Sequence, residues 1–140
     1  GLKDGLEGSG CEIFWEYNYA RGNQNTSEII ASKKQVDYLV ILDNWALEEV
    51  GEAAEENKYH GAKIYGVGSS EKAIVLLDNQ NIECLVVPDD YETGDKSMNE
   101  IAKKLRHSFY KMNSCETEVR IINKEDLYSK DLERFLYSYE

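Results

Sequence analysis

The segment from Asp37 to Ser70 constrains the fold more than any other, because it combines a strand, a helix and a second strand. Residues 38–42 form a short apolar run that is typical of a strand buried on both faces. A second apolar run covers residues 62–67. The helix between them is indicated by apolar residues at helical spacing, namely Leu47, Val50, Gly51 and Ala54. Two strands joined through a helix and short loops predict a right-handed crossover in a parallel sheet.

Polar residues stand directly after the strands of this unit, with Asp43 and Asn44 after the first and Ser69 after the second. A further strand, predicted over residues 82–87, is soon followed by Asp89. Ligands of parallel sheets bind beyond the carboxyl ends of the strands, and Asp43, Asn44, Gly68, Ser69 and Ser70 all fall there. Asp43 keeps two open interpretations, as a ligand contact or as the cap of the helix that follows it.

Composition narrows the class of protein. A chain of 140 residues with 41% hydrophobic content can bury one core and predicts a single domain. The excess of 27 acidic over 16 basic residues, a net charge of −11, argues against binding of a nucleic-acid backbone. No apolar run is long enough for a membrane span, and no signal segment opens the chain. Three widely separated cysteines without a CxxC motif are interpreted as thiols outside metal or disulfide chemistry, namely Cys11, Cys84 and Cys115.

The part of the chain before Asp37 predicts one more strand and one more helix. Residues 11–17, CEIFWEY, are rich in aromatic and β-branched side chains and therefore predict a strand. Asn25 with Glu28 three residues later forms a capping box for a helix that runs through Lys33.

The second half of the chain continues the alternation of helices and strands. A helix is predicted over residues 73–77 and a strand over residues 82–87. Pro88 cannot donate to a strand ladder, so the chain is expected to leave the sheet there through a connector at residues 89–94. The long helix that follows has one apolar face, formed by Met98, Ile101, Ala102, Leu105 and Phe109. The chain is completed by a short strand and a last helix at residues 118–122 and 132–137.

The residues from Gly66 to Glu71, GVGSSE, follow a strand and open a helix, as a dinucleotide-binding turn does. The third glycine of that motif is missing, and Glu71 places a carboxylate where the pyrophosphate would bind. A tight turn in which Ser69 or Ser70 caps the helix is one alternative, and a small-ligand contact through Ser69 is another.

Motifs for catalysis are missing from the sequence. Ser70 is not followed by the glycine of a nucleophile elbow, and His60 and His107 have no triad spacing. The metal-binding spacing HExxH is absent as well. A phosphoacceptor role for Asp43 would require further acidic residues at the end of the first strand. We therefore predict no enzymatic activity, no metal and no cofactor.

Ordered spacing links the strand ends. Asp43 is followed by Ala46, Gly66 by Ser69, and the strand from Ile82 has the pattern I-x-x-x-V-V. With this spacing, QVDYLVILDNWALEEVGEAAEE and GAKIYGVGSSEKAIVLLDNQNIECLVVPDDYETG resemble the type I periplasmic sugar-binding proteins and the effector domains of lactose-repressor-type regulators. The resemblance implies a three-layer α/β/α, Rossmann-like lobe with a mostly parallel sheet. It also implies a bilobal protein of which this chain is the second, C-terminal lobe.

The same resemblance divides the chain. Residues 1–88 would form the second lobe, residues 89–116 a crossover helix that belongs to the first lobe, and residues 117–140 a return strand and C-terminal helix. The apolar face of the helix at residues 94–112 would then lack its usual partner. We expect it to pair with another copy of the chain, in a homodimer or a domain swap.

The ligand positions that the resemblance implies fall on Leu42, Gly68 and Pro88, where the family commonly has Asn, Asp and Gln. None of these three side chains can accept a hydrogen bond from a hydroxyl. The substitutes proposed by position are Asp43, Asn44, Ser69 and Asp89. For stacking on a sugar, the aromatic candidates are Tyr17, which we include in the site, and Trp45.

The resemblance implies a solute-binding protein that holds a small polar ligand of the sugar class between two lobes for ABC-type transport or sensing. Its partner would be a membrane transporter or sensor, and its location extracytoplasmic, either secreted or membrane-anchored. An effector-binding domain of a transcription regulator, which would be cytoplasmic, is one alternative. A nucleotide- or phosphate-binding α/β enzyme domain is the other.

Overall fold

The computed structural model describes residues 1–19, 25–54 and 57–136. Its strands form one sheet in the order β1-β2-β3-β4. The strands are β1 Tyr38–Ile41, β2 Lys63–Val67, β3 Cys84–Pro88 and β4 Val119–Ile122. The first three are parallel, and β4 runs antiparallel to β3. The predicted α/β class and the mostly parallel sheet are confirmed.

The helices connect the strands in chain order. They are α1 Leu2–Gly5, α2 Thr26–Ala31, α3 Asn44–Ala54, α4 Glu71–Asp78, α5 Asp90–Arg106 and α6 Glu133–Leu136, with 3₁₀ turns at Lys124–Asp126 and Lys130–Leu132. The crossovers through α3 and α4 each move one strand in the same direction across the sheet. Right-handed crossovers in one direction place their helices on the same face, where α3 and α4 pack against each other.

The core lies between this face and the helices. Leu47 and Val50 of α3 meet Ile64 of β2 and Leu85 of β3, and all four are fully buried. The predicted apolar stripe of α3 is therefore confirmed. Gly66 permits the close approach of α3 to the sheet, because a Cβ atom there would collide with the Leu47 side chain.

The opposite face of the sheet is largely open at its two edges. Tyr38 on β1 is 55% exposed and Ile121 on β4 is 70% exposed. The prediction that residues 38–42 are buried on both faces is wrong, since only Leu39 and Ile41 are buried there. The physical reason is the common direction of the crossovers, which puts α3 and α4 on one side.

The predicted strand over residues 11–17 is also wrong. The structure has no regular secondary structure from residue 11 to residue 19. The aromatic side chains of this segment serve packing instead: Trp15 and Tyr19 lie against the core, and Trp15 Nε1 donates to the Lys34 carbonyl at 2.9 Å. High strand propensity reflects suitability for a half-buried surface, which these residues find without pairing.

Two helix starts differ from prediction. The Asn25 capping box is wrong, because Asn25 has a left-handed φ of 88° and makes no side-chain cap. Its predicted partner Glu28 instead pairs with Lys58 Nζ at 2.5 Å. The connector at residues 89–94 is wrong as well, because α5 begins at Asp90, directly after its cap.

The ends of the later elements are close to prediction. The predicted strands over 62–67, 82–87 and 118–122 correspond to β2, β3 and β4 within two residues. Helix α5 ends at Arg106, so Phe109 lies beyond it. The last helix covers Glu133–Leu136, and Tyr137 of the prediction lies outside the described residues. No helix in the described part of the chain is long and apolar enough to cross a membrane.

Candidate ligand-binding site

The parallel strands β1, β2 and β3 end at one edge of the sheet, which we call the carboxyl edge. Asp43 and Asn44 follow β1, Ser69 follows β2, and Asp89 follows β3. The structure therefore brings four of the five predicted site residues to the same edge.

Two of these residues cap helices. Asp43 Oδ1 accepts a hydrogen bond from the Ala46 N–H at 3.0 Å at the start of α3. Asp89 Oδ1 accepts from the Glu92 N–H at 2.8 Å at the start of α5, and Asp89 is buried. The first N–H groups of a helix have no partner within it, so acidic residues at these positions satisfy them. The hydrogen bond of Asp43 therefore supports its interpretation as a helix cap.

Glu48 organises the polar groups between α3 and α4. Its Oε1 atom accepts from Asn44 Nδ2 at 2.8 Å and from Ser70 Oγ at 2.7 Å. Ser70 Oγ also accepts from the Ala73 N–H at 3.2 Å, so Ser70 is the predicted cap of α4. Glu48 was not predicted as part of this edge, although its position four residues after Asn44 on a helix indicates a side-chain pair.

Gly68 has no room for a side chain. A Cβ atom at this position would collide with Asn44 Oδ1 and press on Leu47 Cδ2. The Asn44 amide thus occupies the space that a residue 68 side chain would need, which explains the glycine at a ligand position of the resembled family. Asn44 Oδ1 is buried and has no hydrogen-bond partner among the described residues.

Ser69 and Asp90 link the ends of β2 and β3. Ser69 Oγ donates to Asp90 Oδ2 at 3.1 Å. Asp90 is exposed, and its other carboxylate oxygen has no hydrogen bond from any residue that the structure describes. Asp90 was not predicted as a site residue. Its signal in the sequence is an acidic residue in the first helical turn, next to a capping aspartate.

Large apolar side chains are exposed at the same edge. Leu42 is 65% exposed, Trp45 55% and Tyr91 81%. Leu42 and Trp45 follow β1, whereas Tyr91 follows β3. The carboxyl edge therefore combines a hydroxyl and a carboxylate with aromatic surface, and these are the groups that small-molecule sites use.

Tyr17 lies elsewhere. Trp15, two residues before it, lines a small cavity of about 20 Å³ together with Val36 and Ala62, which precede β1 and β2. These residues mark the amino ends of the strands. Consecutive Cα atoms are about 3.8 Å apart, so the Tyr17 backbone lies within about 8 Å of that of Trp15, and the buried Tyr17 hydroxyl has no hydrogen-bond partner among the described residues.

Groups for metal binding are also absent from residues 1–19, 25–54 and 57–136. No cluster of three or more His, Cys, Asp or Glu side chains in these ranges could hold a metal ion. The carboxyl edge thus offers hydrogen bonding and apolar contact.

No protein-family model matches the sequence, and no curated protein sequence matches it. Solved structures do. A solute-binding protein of an ABC transporter from Agrobacterium vitis, with bound D-fucose, matches with a TM-score of 0.66 and 15% identity, over 79% of this chain and 38% of that one. A carbohydrate transporter solute-binding protein from Agrobacterium radiobacter, in complex with D-arabinose, matches with a TM-score of 0.66 and 20% identity, over the same shares.

A third match is GanP, a glucose–galactose binding protein from Geobacillus stearothermophilus, with a TM-score of 0.56 and 21% identity. This match covers 66% of the present chain and 33% of GanP. These proteins are sugar-binding proteins of the type I periplasmic binding protein fold. This chain has the same α/β fold and spans less than two fifths of the length of these structures.

Proposed function

We propose that this chain is a ligand-binding lobe of a solute-binding protein, which holds a small polar ligand of the sugar class between two lobes for ABC-type transport or sensing. The observation that supports this most is the carboxyl edge, where Asn44, Ser69 and Asp89 converge in a fold similar to three sugar-binding proteins. The partner of such a protein is a membrane transporter or sensor. Its location is extracytoplasmic, either secreted or membrane-anchored.

Binding without catalysis is part of this proposal. Ser69 donates to Asp90, and Ser70 donates to Glu48, so neither hydroxyl is paired with a histidine base. Nucleophilic catalysis requires such a base within hydrogen-bond reach. The similar solved structures are binding proteins as well.

The proposed ligand contacts are Asp43, Asn44, Ser69 and Asp89. Asp43 and Asp89 each use one carboxylate oxygen as a helix cap, so the start of the following helix fixes the position of each carboxylate at the edge. Tyr17 is the weakest member of the predicted set, because its segment lies towards the amino ends of the strands.

The exposed face of α5 supports a further part of the proposal, pairing with another copy of the chain. Helix α5 has no buried residue, and Met98, Ile101 and Leu105 are exposed along it, with Leu105 at 81%. Phe109, just beyond the helix, is fully exposed. Exposed apolar stripes of this kind mark association surfaces. We propose that the region 94–112 forms a homodimer or a domain swap.

Light scattering of the 140-residue chain tests the pairing. We expect a dimer that Leu105→Glu converts to a monomer, because a charge would enter the apolar contact. Tyr128→Glu, at another exposed position, is the matched control and should leave the dimer intact. A monomer at all concentrations would contradict the pairing.

The second candidate is an effector-binding domain of a transcription regulator. The exposed α5 stripe favours it, because regulators of this type work as assemblies. The chain segment outside the 140 residues separates the two candidates: an export or lipoprotein signal supports transport, whereas a helix-turn-helix supports regulation.

A thermal-shift screen of sugars on the complete protein tests the main proposal. A ligand that binds only the folded state raises the free energy of unfolding, by about 2.7 kcal/mol at a concentration one hundred times Kd, and therefore raises the melting temperature. We expect such a rise for at least one pentose or hexose, and none for the 140-residue lobe at millimolar sugar. A screen without any shift in the complete protein would refute the sugar assignment.

A further inference from the structure

The face of the sheet opposite α3 and α4 is apolar from one edge of the sheet to the other. Directly paired residues of neighbouring strands share a face, and the register pairs Val86 with both Val67 and Ile121. Tyr65 likewise pairs with Val40, and the centre of its ring lies 6.1 Å from that of Tyr38. The side chains at the two edges of this face are exposed, and those between them are half-buried. We call this surface the open face, and it consists of Tyr38, Val40, Tyr65, Val67, Val86 and Ile121.

Helix α5 carries a second exposed apolar surface. Its apolar residues recur at intervals of three and four, which aligns them along one side of the helix. None of the residues of α5, all of which the structure describes, is buried. We call this surface the α5 stripe, and it consists of Met98, Ile101, Leu105 and Phe109, all exposed. The chain therefore presents two apolar surfaces, one on a helix and one on a sheet.

The two surfaces fit each other in length and in area. Met98 and Leu105 lie about 10 Å apart along the helix, and four strands spaced by about 4.8 Å span about 14 Å. At about 200 Å² for a fully exposed large side chain, the two surfaces expose on the order of 1,000 Å² per copy. A stable interface buries about 800 Å² per partner. Pairing of two α5 stripes with each other would use only part of this area and would leave the open face in water.

The distribution of charge favours a second copy of this chain as the occupant of the open face. Residues 96–112 contain five basic residues and one acidic residue, whereas the rest of the chain contains 11 basic and 26 acidic residues. A basic segment is attracted to an acidic partner, and the acidic part of another copy is such a partner. Because every copy offers both surfaces, the same contact can form twice about a two-fold axis.

We infer that the α5 stripe of one copy packs on the open face of a second copy, and that the contact is reciprocal in a two-fold dimer. This inference rests on the pairing through residues 94–112 in the proposed function, and it names the surface that α5 meets. A helix packed on a sheet is one of the stable ways to bury an apolar face. Both apolar surfaces of each copy are buried in this dimer.

Sedimentation velocity of the 140-residue chain over a range of concentrations tests the inference. Ile121→Glu and Val40→Glu on the open face should each raise the dissociation constant of the dimer by about tenfold or more, as Leu105→Glu does on the helix, because each buries a charge in an apolar contact. Val75→Glu is the matched control, since Val75 is exposed on α4 at the other side of the sheet, and should leave the dimer unchanged. Circular dichroism verifies that each variant is folded. An equal loss in Val75→Glu would overturn the assignment of the open face.

Cys84 supplies a readout that leaves both surfaces unchanged. It pairs with Tyr65 in the register, so it lies on the open face, where it is half-buried. After Cys11→Ser and Cys115→Ser it is the only thiol of the chain. We expect alkylation of Cys84 to be several-fold slower at concentrations at which the dimer forms than after dilution to the monomer. Leu105→Glu should abolish this difference.

The outcomes separate the inference from the pairing on which it rests. If Leu105→Glu dissociates the dimer while both open-face variants keep it and Cys84 reacts at one rate throughout, the α5 stripes pair with each other. The inference is then wrong and the proposed pairing stands. If the original chain is a monomer at every concentration, the pairing itself fails and the inference fails with it. Neither result bears on the sugar assignment, which the thermal-shift screen tests.

Discussion

The body of the molecule and its arm are held together by different forces. The body consists of β1–β3 with α3 and α4, where side chains such as Leu47, Leu77 and Leu85 are fully buried. The arm, residues 90–118, comprises α5 and the segment that returns to β4. Both ends of the arm lie at the carboxyl edge, since Pro88 pairs with Val119. In the body, burial of apolar area supplies the stability.

The arm relies on polar contacts at the surface. Lys96 Nζ donates to the Glu116 carbonyl at 2.8 Å, and Glu92 Oε2 accepts from the Glu118 N–H at 2.9 Å. Glu100 accepts from the Asn113 N–H at 2.9 Å and from the Tyr110 hydroxyl at 3.0 Å. Surface contacts of this type each contribute little to global stability. The arm is thus held in shape by local polar contacts, while its apolar face remains exposed among the described residues.

The largest expected effect comes from a pair of identical substitutions in the two regions. Leu47→Ala in the body should lower the free energy of unfolding by about 3 kcal/mol, because it leaves a cavity in a fully buried site. Leu105→Ala on the exposed face of the arm, measured at a protein concentration at which light scattering shows a monomer, should change it by less than about 0.5 kcal/mol. Urea unfolding measures both. Equal losses would mean that α5 packs against the body and would abolish the distinction.

A glycine pair sharpens the same comparison. Gly66→Ala should destabilise by about 1–3 kcal/mol, because its Cβ would overlap the Leu47 side chain under α3. Gly94→Ala on α5 has open space around it and should stabilise by about 0.5–1 kcal/mol through helix propensity. Thermal unfolding of the two variants gives opposite shifts if the packing is as described. A gain of stability in Gly66→Ala would show that α3 lies farther from β2.

The smallest effect concerns the pH dependence of the arm. The hydrogen bond from Lys103, together with that from the Asn113 N–H, lowers the pKa of Glu100 from 4.5 to about 2. Because the pKa of Glu100 is lower in the folded arm, its ionised carboxylate stabilises the arm at pH values above 4.5. This stabilisation is lost as the pH falls from 4.5 towards 2. We expect the protection of the Asn113 amide, its hydrogen-exchange rate relative to that of a free amide at the same pH, to fall over that range before the body unfolds.

The variant Glu100→Gln is the control for this prediction. It should remove the pH dependence of the Asn113 protection factor between pH 4.5 and 2 and leave the protection of amides in β2 and β3 unchanged. If the Asn113 amide of the original protein loses its protection with a midpoint near pH 4.5, this would contradict the lowered pKa of Glu100.

Much of the fold was predictable because its signals are local. The apolar stripe of α3, the Ser70 cap and the strand runs of β2 and β3 are all visible within a few residues of sequence. The prediction failed at residues 11–17, where aromatic residues pack on the core without strand pairing. It also failed at the start of α5, because Asp89 looked like part of a connector although it caps the helix.

The site was predictable in place and less so in detail. The rule that ligands lie beyond parallel strands identified the edge that holds Asp43, Asn44, Ser69 and Asp89. It did not identify Asp90, Tyr91 or Glu48 as members of that edge. Which side-chain oxygens at this edge are already engaged depends on where each helix begins, and the structure was needed to show that.

The sequence by itself determined the order of strands and helices from β1 onward, the buried stripe of α3 and the polar residues that follow the strands, because periodicity and chain order carry this information. Only the tertiary structure decided that one face of the sheet stays open at its edges, that the Asn44 amide fills the space beside Gly68, and that Trp15 lines a cavity at the opposite end of the strands. These features arise from contacts between residues far apart in the chain. Spacing along the sequence does not encode the direction of a crossover or the neighbour that a side chain meets.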